Sequence, residues 1–132
     1  MNFKPHHIAF TVDDIVESTK WYSEKLGFQT VHNYERNGMQ IALLKQGDFK
    51  IELFHFPDNT SPLPEADKNL MKNLHTIGTK HICLEVDDLD TTIIELKEKR
   101  VEFATEIDTA GFGGRYVFIK DCNDILIEIY QS

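Results

Sequence analysis

Apolar residues recur at every second position in two separate stretches of the chain. Residues 7–15 read HIAFTVDDI and residues 81–89 read HICLEVDDL, with five of the nine positions identical. Ile8, Phe10 and Val12 in the first, and Ile82, Leu84 and Val86 in the second, give the period of a strand with one covered face. After each stretch the period lengthens to that of a helix. Ile15, Thr19, Tyr22 and Leu26 form one stripe; Leu89, Ile93, Leu96 and Arg100 or Val101 form the other. Asp13-Asp14 and Asp87-Asp88 stand where the helices begin, and carboxylates there accept from unpaired amides. These aspartates are therefore read as caps, not catalysts. Gly27 is placed to end the first helix, whereas the second copy offers no glycine.

Strand signals continue in both halves. FQTVHNYERN, MQIALLKQ and DFKIELFHF follow the first helix; VEFATEID, GRYVFIKD and DILIEIYQ follow the second. Turn letters at Asn37-Gly38, Gln46–Asp48, Gly111–Gly114 and Cys122–Asp124 separate them. The closing strands match again, KIELF carrying Glu52 and LIEIY carrying Glu128. The pattern predicts a single α+β domain over 1–132, made of two βαβββ modules at 5–56 and 80–131. The connector 57–79 opens on Pro-, Asn- and Ser-rich loop and turns helical from Glu65 to about Leu74. Two such sheets, curling toward each other, would enclose a cleft.

Charge narrows the partners. A net charge of −8 on 132 residues disfavours nucleic acid and anionic membrane, both of which call for a basic face. The first residues carry no long apolar run, and no stretch approaches the length that spans a bilayer. Cys83 and Cys122 lie far apart and outside any CxxC, as buried thiols in a reducing compartment would. A cytoplasmic protein acting on a small molecule is the expectation.

Candidate chemistry comes from the alternation itself. If Ile8, Phe10, Ile51 and Leu53 face the helix of their module, His7 and Glu52 face away from it. The same holds for His81 and Glu128 beside Ile82, Leu84, Ile127 and Ile129. One His or one strand Glu alone is ordinarily a surface residue; the same pair in both copies points to a site. Imidazole nitrogen and carboxylate oxygen suit one divalent ion, Zn, Ni, Co, Mn or Fe(II), and the lack of thiolates argues against a structural zinc cage. His6, His32, His55 and His75 have no repeat counterpart and are read as surface residues.

With these residues assembled, the sequence resembles the vicinal oxygen chelate superfamily, which includes glyoxalase I, methylmalonyl-CoA epimerase, extradiol dioxygenases and bleomycin-binding proteins. The likeness runs from Pro5 to Gln131. HIAFTVDDIVESTKWYSEKLGF follows the opening of small glyoxalase I-like proteins, with Ser18, Trp21-Tyr22 and Leu26-Gly27-Phe28 in place. The resemblance implies that His7, Glu52, His81 and Glu128 are metal ligands. It also implies a lyase or isomerase that removes a proton beside a carbonyl on a substrate chelated through vicinal oxygens. Glu128 first and Glu52 second would act as general base. Arg115 is the candidate for an anionic substrate tail, and Phe54 and Tyr130 for apolar walls. Fe(II)-dependent dioxygenase chemistry and metal-free small-molecule binding are the alternatives. The resemblance further implies a homodimer and leaves open whether glutathione or another thiol takes part.

Overall fold

The computed structural model describes residues 1–59 and 63–132. The chain divides into two compact units, Met1–Pro62 and Leu63–Ser132. The class is α+β, and each unit builds its own sheet. Among the described residues no helix is long and apolar enough to cross a membrane.

In the first unit, strand β1 (Ile8–Thr11) leads into helix α1 (Ile15–Leu26), then β2 (Gln29–Arg36), β3 (Met39–Gln46) and β4 (Phe49–His55). The sheet order is β1-β4-β3-β2, with β1 parallel to β4 and the remaining pairs antiparallel. Asp14 caps α1, its Oδ1 accepting from the Glu17 amide at 2.8 Å. Gly27 closes the helix in the left-handed conformation at φ 77°, donating to the Ser23 and Tyr22 carbonyls. The helix buries Ile15, Ser18 and Tyr22. The small Ser18 takes the covered position in place of Thr19, which stands half-buried. Tyr22 packs edge-to-face on Phe28 at 5.8 Å, seating the chain as it leaves the helix.

The second unit opens with helix α2 (Leu70–Leu74), much shorter than the stripe from Glu65 suggested. Asn69 caps it, accepting from the Lys72 amide at 3.1 Å, and the residues before it are a turn closed by Asp67 donating to the Pro64 carbonyl. There follow β5 (Ile82–Glu85), α3 (Leu89–Glu98), β6 (Glu102–Phe103), β7 (Asp108–Thr109), β8 (Arg115–Lys120) and β9 (Leu126–Gln131). The order β5-β9-β8-β6, with β5 parallel to β9, repeats that of the first unit. Asp88 caps α3 through the Thr91 amide and hydroxyl, which holds its carboxyl below the ordinary aspartate range.

The copies differ most along VEFATEID. One strand was expected there, but two two-residue pieces form. Phe103 pairs with Ile119 and Asp108 with Tyr116, so an advance of five residues opposes one of three. The surplus is absorbed where the Ala104 and Thr105 amides both donate to the Phe118 carbonyl, a bulge.

With no glycine after α3, Arg100 takes the left-handed conformation at φ 58°. A side chain there costs roughly 1–2 kcal/mol, partly offset by the entropy glycine loses on folding. Arg100→Gly should therefore stabilise the fold by about 0.5 kcal/mol. The change would show as a higher urea midpoint with an unchanged slope.

Candidate functional site

Burial fixes which way the two glutamates point. Ile51 and Leu53 flank Glu52, Ile127 and Ile129 flank Glu128, and all four apolar residues are buried. Covering each contributes about 1.5–3 kcal/mol. A one-residue slip would expose all four and turn both carboxylates inward. The carboxylates are thus held on the opposite face by their neighbours. Glu52 stands in register with Ala9, and Glu128 with Cys83. In both units the histidine lies two residues before that register partner, just ahead of the parallel strand.

The outcome is the same pair twice. His7 Nε2 lies 3.2 Å from Glu52 Oε2, and His81 Nε2 lies 2.9 Å from Glu128 Oε2. The second pair is more sheltered, with side chains 21% and 14% exposed against 38% and 22%. Phe118 accounts for part of this. It is the β8 partner of Glu128 and packs edge-to-face on His81 at 4.8 Å. Leu43, the β3 partner of Glu52, supplies no ring. Cys83 and Cys122 are exposed rather than buried as expected; partial burial and the Glu128 charge push the Cys83 thiol up to about 11.

The donor chemistry suits a divalent ion. A nitrogen and an oxygen each about 2.1 Å from one ion, and 90–110° apart, are separated by about 3.0–3.4 Å. The 3.2 Å of the first pair falls in that interval and the 2.9 Å of the second lies just below it. Each unit by itself supplies two donors, and among the described residues no group of three or more His, Cys, Asp or Glu stands together. His81 Nδ1 is buried without a hydrogen-bond partner among the described residues. His7 Nδ1 is not: it lies 2.8 Å from Nδ1 of His6.

The other candidates fall as follows. Tyr130 shares the Glu128 face of β9, donates its hydroxyl to the Gly113 carbonyl at 2.9 Å and meets the Phe112 ring at 5.6 Å. Phe54 follows Glu52 on the same face of β4 and stacks on Phe56 at 6.5 Å. Arg115 is engaged within its own unit. Its guanidinium donates to both Asp90 oxygens, at 3.2 and 2.9 Å, and to Gln131 Oε1 at 3.1 Å. Asp90 raises the already high pKa of Arg115. Gln131 Oε1 also accepts from the Leu89 amide at 2.9 Å, tying β9 to the start of α3.

A family model, the Glyoxalase/Bleomycin resistance protein/Dioxygenase superfamily, matches residues 4–129. The chain belongs to that superfamily. Methylmalonyl-CoA epimerases recur among its relatives. The mouse mitochondrial one is 28% identical over 133 residues, covering 96% of this chain and 72% of that protein. A probable lactoylglutathione lyase of Vibrio parahaemolyticus is 25% identical over 131 residues, covering 96% and 88%. Among solved structures, a glyoxalase family protein from Enterococcus faecalis superposes with a TM-score of 0.79 at 21% identity over 96% of each chain. The superfamily frame of paired βαβββ units is thus the fold of this protein.

The sequence missed three residues that touch the candidate groups. Asp90 and Gln131 hold Arg115, and only the fold brings them to it. His6 was set aside for want of a repeat counterpart, although its place beside His7 was a usable signal. His55, also read as surface, is half-buried and lies 3.3 Å from the Val12 carbonyl.

Proposed function

We propose that the protein is a metal-dependent epimerase that inverts a carbon next to a thioester carbonyl, on a 2-alkylmalonyl thioester. The observation that carries this reading is the His–Glu pair repeated in equivalent register in both units. Inversion needs a proton taken from one face of a carbon and returned to the other, and the repeat supplies one carboxylate for each task. The epimerase relatives support the same class. His7, Glu52, His81 and Glu128 are the residues that would serve as ligands to the ion. When bound, the ion supplies Lewis acidity that makes the hydrogen beside the carbonyl acidic.

The chain does the rest. Glu128, loosened from the ion, would take the proton from carbon, the C–H electron pair moving into the carbonyl as an enolate, and Glu52, likewise loosened and carrying a proton, would return it to the opposite face. Phe54 and Tyr130, following the two glutamates on the same strand faces, would exclude water from the reacting carbon. The same proton shift on the hemithioacetal of a 2-oxoaldehyde is the second reading, favoured by the lactoylglutathione lyase relative.

The test is a solvent-exchange assay in D₂O. Protein stripped of metal and reloaded anaerobically with Ni, Co, Zn, Mn or Fe(II) is given one epimer of methylmalonyl-CoA. A parallel sample receives the methylglyoxal–glutathione hemithioacetal. Deuterium at carbon 2 with inversion, seen only in reloaded protein, is the expected result. Turnover of the hemithioacetal alone would transfer the assignment to the lyase. Neither reaction with any of the metals would overturn both.

A further inference from the structure

Two lysines face each other where the second unit sets a lysine against a leucine. Lys45 on β3 and Lys50 on β4 are direct partners across the hairpin, which puts their Cβ atoms about 4.5–5.5 Å apart. The next pair on the same side of the hairpin is Leu43 with Glu52. Alternation therefore places both lysines on the face of Glu52, with Lys50 two residues, about 7 Å, from it along the strand. The parallel register of Ile8 with Ile51 runs one step back to His7 and Lys50. Both lysines are half-buried.

Like charges set directly opposite one another destabilise a sheet. Among the described residues neither ammonium has an ion-pair partner. Glu52 lies against His7 instead, at 3.2 Å. Carboxylates are not scarce, since the chain carries 22 acidic residues against 14 basic ones. The second unit treats the equivalent position differently. Lys120 of β8 stands opposite Leu126, and Glu102 neutralises it at 3.3 Å. The first unit thus keeps two uncompensated cations beside its candidate carboxylate.

We propose that Lys45 and Lys50 form an anion site that binds the free carboxylate of the substrate next to Glu52. This rests on the thioester reading above and deepens it. A 2-alkylmalonyl thioester carries that carboxylate on the reacting carbon itself, so it must come close to whichever group moves the proton. Glu52 and a net charge of −8 repel it. Two ammonium groups, each with three donors, offset that repulsion and bind the carboxylate oxygens through charge-assisted hydrogen bonds. The same cations stabilise the charge that develops as the neighbouring carbon becomes part of an enolate. The methylglyoxal hemithioacetal has no carboxylate on its reacting carbon, so the lysine pair favours the thioester over it. Arg115 does not compete for the role, because Asp90 and Gln131 already hold its guanidinium.

Calorimetric binding to the full chain tests the proposal, with racemic methylmalonyl-CoA compared against propionyl-CoA. The two thioesters share every phosphate and differ in the one carboxylate. Wild type should bind methylmalonyl-CoA the more tightly. Lys45→Gln and Lys50→Gln should each weaken that binding by about tenfold, the loss of one charge-assisted contact, and leave propionyl-CoA unchanged. Lys20→Gln, which removes a charge from α1, should alter neither. Both hairpin variants should unfold at urea concentrations no lower than wild type, because a repulsion has been removed. Equal weakening of both thioesters would assign the lysines to the phosphates and overturn the proposal. So would wild-type affinity in either hairpin variant, or a wild type that does not distinguish the two thioesters. Lysine-dependent binding without deuterium exchange would sink the epimerase reading and leave the carboxylate site standing. Exchange together with unaltered binding in the variants would sink the site alone.

Discussion

Glu128→Gln is expected to lower turnover by about three orders of magnitude. The amide keeps the size of the side chain and can still meet His81, so the fold should survive. It cannot take a proton from carbon, and a positioned general base contributes typically 10²–10⁴-fold. Glu128 is the more sheltered of the two carboxylates, 14% exposed against 22% for Glu52. The stereochemistry sharpens the expectation. On the proposed mechanism, in which each carboxylate serves one face, Glu128→Gln should lose exchange from one epimer, and Glu52→Gln from the other. Equal loss from both epimers in each variant would mean that one glutamate handles both faces. Undiminished exchange in Glu128→Gln would remove it from the chemistry.

The largest effect on stability is expected from Gly114→Ala. Gly114 has φ 80°, and a Cβ there would run into the Gln131 carbonyl oxygen, 2.6 Å from the Tyr130 hydroxyl and 2.8 Å from its ring. The first obstacle is backbone of the central strand pairing, since Arg115 is in register with Gln131. Overpacking costs typically 1–3 kcal/mol, and a left-handed backbone adds roughly 1–2 kcal/mol for a residue with a side chain. A loss of about 3 kcal/mol is expected in denaturant unfolding. Gly111→Ala is the control. Nothing lies within 4 Å of a Cβ at Gly111 and its φ is not positive, so its change should stay within about 0.5 kcal/mol. Because Tyr130 follows Glu128 on one strand face, any Gly114→Ala protein that folds should also show a displaced Tyr130 ring.

What the sequence made legible was local and periodic. Asp14 and Asp88 cap helices as their positions implied, Gly27 ends α1, and alternation put each glutamate opposite its buried neighbours. The repeat singled out His7, Glu52, His81 and Glu128 before any coordinates, although their closing into one pair within each unit was not foreseen. What escaped depended on residues far apart in the chain. VEFATEID carries strand letters throughout, and only the facing β8 reveals two surplus residues. The helical stripe from Glu65 loses its first turns because Asn69 offers a better cap. Arg115 looked free because Asp90, its counter-ion, lies 25 positions earlier and meets it only through α3 packing on β9.

The irregularity in β2 has a bearing on how the protein behaves in a crowded solution. Gln29 and Thr30 pair with Lys45 and Leu44, and His32 resumes with Leu43, leaving Val31 without a partner on β3. All eight β2 residues are exposed, so this is a long open edge of the kind that recruits strands from neighbouring molecules. The counterpart edge of the second unit is already broken into β6 and β7, too short to template anything. On the first unit the extra residue at Val31 bends the edge, and Glu35 and Arg36 place charge at its end. A chain that kept its core but lost that one residue is expected to present a straighter edge and to associate more readily on concentration, a change that light scattering would read.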